Sequence, residues 1–335
     1  MKKLDFGFGN PFVLNEIFSR VYRPTLSLNM NMTNLPYAPD IGREELITIA
    51  KAHVDKITGT SGVYNNIMIT HGATSALNTA LRYIKGIGEK GITTLDFGYP
   101  FYESMISKAG LTRQSINHKN TDTEVNKEML TSLNKWALID SPHNPSGRVY
   151  SVNVLSKSII WDATYHIPTY LRDKDMDKKP YMPQIVVGSF GKMLGITGVR
   201  LGFIAMSNPF IFDKILYDNL MEKATASHVG QLMLEDVYRN INVDTLMLVG
   251  RDALDRNRSE LSKLEGLTGT PVSENGMFYL FQSDQKLVNI FNEANIIFTT
   301  FKTGSDLYIR LNGAQTLENT QEMVKRVLER DNVRK

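Results

Sequence analysis

Residues 188–203 read GSFGKMLGITGVRLGF, with a single lysine, Lys192, among glycines and apolar side chains and no acidic residue in the stretch. A lysine placed this way is either solvated on a loop or used for its amine. Ser189 stands three residues before it and Arg200 eight residues after. Apolar runs at 184–189 and 202–206 flank the segment, so it reads as a loop between two strands. In a desolvated pocket a lysine pKa falls, and the neutral amine becomes a nucleophile towards a carbonyl. A hydroxyl and a guanidinium beside it suit a phosphate dianion. An aldehyde that also carries a phosphate would use all three groups.

Working outward, further short apolar runs at 67–70, 92–97, 136–140 and 158–161 alternate with helical patterns. In residues 74–85, Leu77, Ala80, Leu81 and Ile84 fall on one helical stripe. Strands alternating with helices predict α/β layering around a largely parallel sheet. After Phe210 the texture changes. Residues 228–264 read as extended helix with a break and a new N-cap at 242–244, followed by strand candidates at 276–281 and 306–312 around a helix at 285–294. The expected division is an N-terminal arm with part of a smaller domain (1–38), a large domain (39–230) and a small C-terminal α/β domain (231–335).

Composition narrows the class. The 335 residues are 42% hydrophobic and 22% charged, as in an ordinary globular protein, and long enough for a sizeable core. A formal net charge of +3 gives no sign of a nucleic-acid or membrane partner. The absence of cysteine excludes disulfides and thiolate metal sites, and the six histidines show no metal-ligand spacing. The start, MKKLDFGFGNPF, lacks the apolar core of a signal peptide, and no apolar run reaches the length of a spanning helix. A cytoplasmic location is expected.

Three more stretches carry candidate chemistry. In ITHGATSALNTALRYIK (69–85), Gly72, Ala73 and Thr74 would present free N–H groups at a helix N-terminus, an anion site, although a plain strand-to-helix turn has the same look. In IDSPHNPSG (139–147) a strand ends at Asp140, and Asn144 offers its amide to a ligand or to its own turn. In SIIWDATYHIPTY (158–170), Asp162 ends another strand with Tyr165 three residues on. A buried carboxylate there needs a protonated nitrogen, unless it caps a helix. Pyridoxal 5′-phosphate, bound as a lysine Schiff base with an acidic partner for its ring nitrogen, would use every one of these groups. The helix N-terminus, Ser189 and Arg200 would take the phosphate, Asp162 the ring nitrogen, Asn144 and Tyr165 the ring hydroxyl, and Lys192 the aldehyde.

The ordered set resembles the fold-type I pyridoxal-phosphate enzymes, specifically the class I/II aminotransferases, from the GNP at 9–11 to Arg310. The resemblance implies a three-layer sandwich with a mostly parallel sheet plus a smaller α/β domain. It also implies an amino-group transfer between an amino acid and a 2-oxo acid, with Lys192, Asp162 and Tyr165 catalytic. By the same resemblance Tyr102 stacks on the cofactor ring, and Arg310 with Asn144 receives the substrate's carboxylate. Tyr37 reaches the phosphate of a neighbouring subunit, so a homodimer with shared sites is expected. Each of these three has a plainer alternative: a core or surface aromatic for Tyr102, a turn tyrosine for Tyr37, an internal carboxylate partner for Arg310. Within the class, the short path from Asn144 to Asp162, in which a helix has been lost, resembles the alliinase and tryptophan-aminotransferase-related branch. His143 and the missing disulfide module depart from it. A C–S lyase, a decarboxylase or a non-catalytic relative of the same fold stays open, as does the substrate. Phe6, Phe8 and Phe12 either favour an apolar side chain or pack lobes together.

Overall fold

The protein is described here by a computed structural model covering residues 2–22 and 35–333. Part of the expected N-terminal arm, residues 23–34, lies outside the described residues. In chain order, β1 (Leu4–Asp5) and α1 (Phe12–Val21) are followed by α2 (Glu44–Thr58), β2 (Asn66–Thr70), α3 (Ala73–Gly86), β3 (Gly91–Leu95) and α4 (Tyr102–Lys108). Next come β4 (Thr112–Ile116), α5 (Asp122–Thr131), β5 (Trp136–Asp140), β6 (Ser158–Asp162), β7 (Ile185–Ser189), α6 (Phe190–Leu194), β8 (Gly202–Met206) and α7 (Pro209–Lys223). The remainder is α8 (His228–Asn240), α9 (Val243–Leu261), α10 (Glu265–Thr268), β9 (Phe278–Ser283), α11 (Gln285–Glu293), β10 (Ile296–Ile297), β11 (Thr299–Thr303), β12 (Asp306–Asn312) and α12 (Leu317–Val333).

A seven-stranded sheet in the order β2-β8-β7-β6-β5-β3-β4 forms the middle layer. Its strands run parallel except β8, which is antiparallel to both neighbours. Side chains alternate between two cores. On β8, Phe203 and Ala205 face the layer that holds α2 and α8, while Ile204 and Met206 face α3, α4 and α7. Strands buried on both faces read as near-continuous apolar runs, which is why the central strands stand out in the sequence. The edge strand β4, TRQSI, is largely exposed and was not anticipated. No helix lies between β5 and β6, in line with the short path expected there.

The second lobe is built on the antiparallel sheet β11-β12-β9 and its own core, which Leu4 and Phe6 enter from the N-terminus. The pair β1–β10 ties that end in, with Leu4 opposite Ile296. Leu234, Val237, Leu246 and Met247 belong to the first core, so that core continues across the 230/231 boundary expected from the sequence. The anticipated helix break is real: Asn242 caps α9 by accepting from the Thr245 N–H at 2.9 Å.

Candidate active site

Parallel strands leave a crevice at their C-terminal ends, where ligands bind in open α/β sheets. Here β5, β6 and β7 end in Asp140, Asp162 and Ser189, and all three line one cavity of about 600 Å³. The second lobe closes it from above with Phe278, Thr299 and Arg310.

One end of the cavity has the make-up of an anion cradle. Gly72 precedes α3 at φ +85°, a conformation that favours glycine, and no side chain caps the helix. Among the described residues the N–H groups of Ala73 and Thr74 meet no acceptor, leaving them free for a ligand. Arg200 lies against this turn: a Cβ on Gly72 would sit 3.5 Å from its Nη2. Its side chain's one hydrogen bond among the described residues goes to the Thr197 carbonyl, and no carboxylate among them pairs with it. Gly202 is needed for the close approach, since a Cβ there would stand 2.8 Å from the Ala73 nitrogen and 2.5 Å from the Gly188 oxygen. Half-buried Ser189 completes the cradle.

The floor is acidic and buried. Asp162 is buried, its Oδ1 accepting from the Thr164 N–H at 3.1 Å and its Oδ2 from the Tyr102 hydroxyl at 2.7 Å. No helix begins there, so Asp162 is not a helix cap. Tyr102 is fully buried and lines the cavity with Tyr99, whose hydroxyl lies 3.5 Å from Thr74 Oγ1. Asn144 is buried as well, and its amide oxygen accepts from Arg310 Nη1 at 3.0 Å instead of closing its own turn. Tyr165 packs edge-on against Phe278, and burial holds its hydroxyl protonated.

Two cations face this floor. The Lys192 amine donates to the Gly9 carbonyl, and burial, with the nearby charges of Arg200 and Arg310, lowers its pKa to about 7. Arg310 is buried, donates to Gly7 O at 2.7 Å and Thr299 Oγ1 at 3.2 Å, and rests on the Phe278 ring 4.3 Å from its centroid. Burial lowers its pKa to about 10, so it stays charged at neutral pH. No carboxylate pairs with it among the described residues, and its Nε has no partner there. A buried guanidinium with only neutral partners is fitted to an incoming anion.

The sequence profile of the family described as aminotransferase class I and II matches residues 2–327. The chain belongs to this family. Its fold and enzyme class are those of the class I/II aminotransferases, a pyridoxal-phosphate-dependent family. An aspartate aminotransferase of Pyrococcus horikoshii is 22% identical over 325 residues, covering 87% of this chain and 82% of that one. A relative from Methanocaldococcus jannaschii is 26% identical over 177 residues, a match that spans 47% of this chain and 45% of the relative. The solved structure of an aromatic aminotransferase from Pyrococcus horikoshii superposes with a TM-score of 0.75 at 18% identity, over 99% of this chain and 96% of that one.

Within this aminotransferase the structure brings Gly72, Ala73, Thr74, Tyr102, Asn144, Asp162, Tyr165, Ser189, Lys192, Arg200 and Arg310 to one cavity. Tyr37 is not among the lining residues and is 85% exposed. The three phenylalanines separate: Phe6 is in the second lobe's core, Phe8 lines the cavity, and Phe12 lies partly exposed at the start of α1. Asp140, Tyr99, Phe278 and Thr299 were not anticipated as lining residues. Asp140 carried a signal, since it ends its strand as Asp162 ends the next one.

Proposed function

We propose that this aminotransferase holds pyridoxal 5′-phosphate in the cavity, covalently through Lys192, and moves an amino group between an amino acid and a 2-oxo acid. The observation that carries this is the meeting of Lys192, Asp162 and an uncapped helix N-terminus with Arg200 in one cavity. The residues fit the group: the orphaned N–H groups and Arg200 match a phosphate, Asp162 a ring nitrogen, and Asn144 and Tyr165 a ring hydroxyl. When bound, the cofactor supplies an aldehyde that condenses with amines and a ring that withdraws electrons.

This chain's own residues do the rest. Arg310 binds the substrate carboxylate through a planar fork and so fixes the direction of the Cα–H bond. Lys192, once the substrate's amine has replaced it on the aldehyde, would be a free amine with a pKa near 7 and would take the Cα proton at Nζ. Asp162 would hold the ring nitrogen by keeping a negative charge on the cavity floor. The carbonyls of Gly7, Phe8, Gly9 and Asn10 accept from Arg310, Asn312, Lys192 and Asn312 in turn, so the N-terminal segment roofs the site against water.

For the substrate side chain, Phe8, Tyr99, Phe101, Phe278, Ile297 and Phe298 supply the wall. Among the described residues the cations on the cavity are Lys192, Arg200 and Arg310, each already assigned. This favours apolar or aromatic donors over dicarboxylic ones. A cytoplasmic homodimer fits the remaining features. On α7, Ile211 and Ile215 face the core while Phe210, Tyr217 and Met221 form an exposed apolar stripe that a second copy would cover. Tyr37, exposed and outside its own cavity, is free to serve the neighbour's.

The test is a single turnover with an amino donor. Transamination leaves one equivalent of the aminated cofactor and releases a 2-oxo acid. Release of pyruvate and ammonia with the aldehyde form restored would replace the proposal with a lyase.

A further inference from the structure

Asp140 and Asp162 are register partners at the ends of the parallel strands β5 and β6, and both line the cavity. Two buried carboxyls this close cannot both carry charge without a cation between them. None is there: neither forms an ion pair among the described residues. Their hydrogen bonds differ in a way that ranks them. Both oxygens of Asp162 accept, one from an N–H and one from a hydroxyl. Asp140 is 3% exposed; its Oδ2 accepts the Asn144 N–H at 3.0 Å, and its Oδ1 has no partner. An ionised oxygen buried without a donor is costly, whereas a protonated one is a donor awaiting an acceptor.

We infer that Asp140 and Asp162 share one negative charge, which rests on Asp162, while the buried Oδ1 of Asp140 holds a proton. Asp140 is thus a positioning residue: it fixes the Asn144 turn through Oδ2 and keeps Asp162 as the one floor anion. The shared charge does not depend on the cofactor reading above.

The surroundings agree. The groups facing Asp140 are Asp162 on β6, Tyr102 on α4, Tyr150 and Tyr165 on the connecting loops, and at longer range Arg113 on β4. The three tyrosines have raised pKa values and stay neutral. Arg113 spends its hydrogen bonds on Thr94 Oγ1, the Leu95 and Phe97 carbonyls and Glu103. His143, in the same turn as Asn144, is kept neutral by burial. Burial first, and the Asp162 charge second, push the Asp140 carboxyl up to about 8. Burial raises Asp162 too, opposed by its bonds to Thr164 and Tyr102.

The test needs no cofactor. A carboxyl whose folded pKa lies above its unfolded value of about 3.9 binds more proton in the folded state, so it stabilises at low pH and that stability is lost as pH rises. Unfolding of the full chain and of Asp140→Asn is compared from pH 5 to 9. The ratio of their unfolding constants should shift against the wild type by about tenfold per pH unit up to about pH 8; parallel curves would overturn the inference. Should the variant not fold, the infrared spectrum of the wild type at pH 7 decides: a protonated carboxyl stretch is expected, and its absence sinks the shared charge. A chain that binds no cofactor but shows the acid stretch overturns the functional reading and leaves the pair standing.

Discussion

Arg310 and Asn144, 166 residues apart, meet side chain to side chain, with the guanidinium donating to the amide oxygen at 3.0 Å. The contact joins the second lobe to the floor of the first and holds the fork of Arg310 over the cavity. Replacing Arg310 with lysine keeps the charge but loses the planar pair of donors. The Michaelis constant for an amino donor should rise by about 30-fold to 1,000-fold, the equivalent of roughly 2–4 kcal/mol, with a smaller change in kcat. Steady-state kinetics check it, and an unchanged Michaelis constant would place the substrate carboxylate elsewhere.

Lys192→Ala should lose covalent cofactor attachment and about 10³-fold in turnover while circular dichroism stays native, because the side chain's one hydrogen bond among the described residues goes to a carbonyl. A pH signature accompanies it. The Lys192 pKa is depressed to about 7 in the fold, against about 10.4 unfolded, so the folded chain binds fewer protons in that window. Its contribution to stability therefore rises with pH from about 7 to about 10, and Lys192→Met should flatten that rise in the cofactor-free chain. Superimposable curves would mean the amine is solvated.

Gly202→Ala probes the anion cradle without touching a charged group. The added methyl would press on the Gly188 carbonyl and the Ala73 nitrogen, backbone atoms that cannot swing aside. Overpacking of this kind costs about 1–3 kcal/mol, and cofactor affinity should fall by about tenfold to a hundredfold. Equilibrium titration with pyridoxal phosphate measures it. Undiminished affinity would show that the phosphate is held elsewhere.

A donor panel addresses the side-chain wall. Phenylalanine, leucine and methionine should exceed aspartate and glutamate in kcat/KM by about a hundredfold, because a second carboxylate would be buried without a cation. Preference for aspartate would reveal a cation beyond those on this wall.

Much of this site is legible in the chain because each group announces itself by a local mismatch. Lys192 stands among glycines, Asp162 ends an apolar strand, and Arg310 interrupts another. The central strands are readable because both of their faces are buried, and β4 is not because its side chains meet water. What stays hidden depends on strand order. The pairing of Asp140 with Asp162 follows from β5 and β6 being neighbours, which spacing along the chain does not reveal. The hydroxyl of Tyr102 reaching Asp162 is equally non-local. The fates of Phe6, Phe8 and Phe12, alike in composition, are decided by the second lobe's packing.

The pairing of Leu4 with Ile296 has a bearing on how the molecule is made. On the ribosome, β1 must wait until β10 has emerged before the two can pair. Until then Phe6 lacks the hydrophobic neighbours it will join, and Arg310 has not been synthesised to grasp the Gly7 oxygen. The chamber therefore closes only after β10 and β12 have been made, so chains cut short before them carry the floor of the site but not its roof.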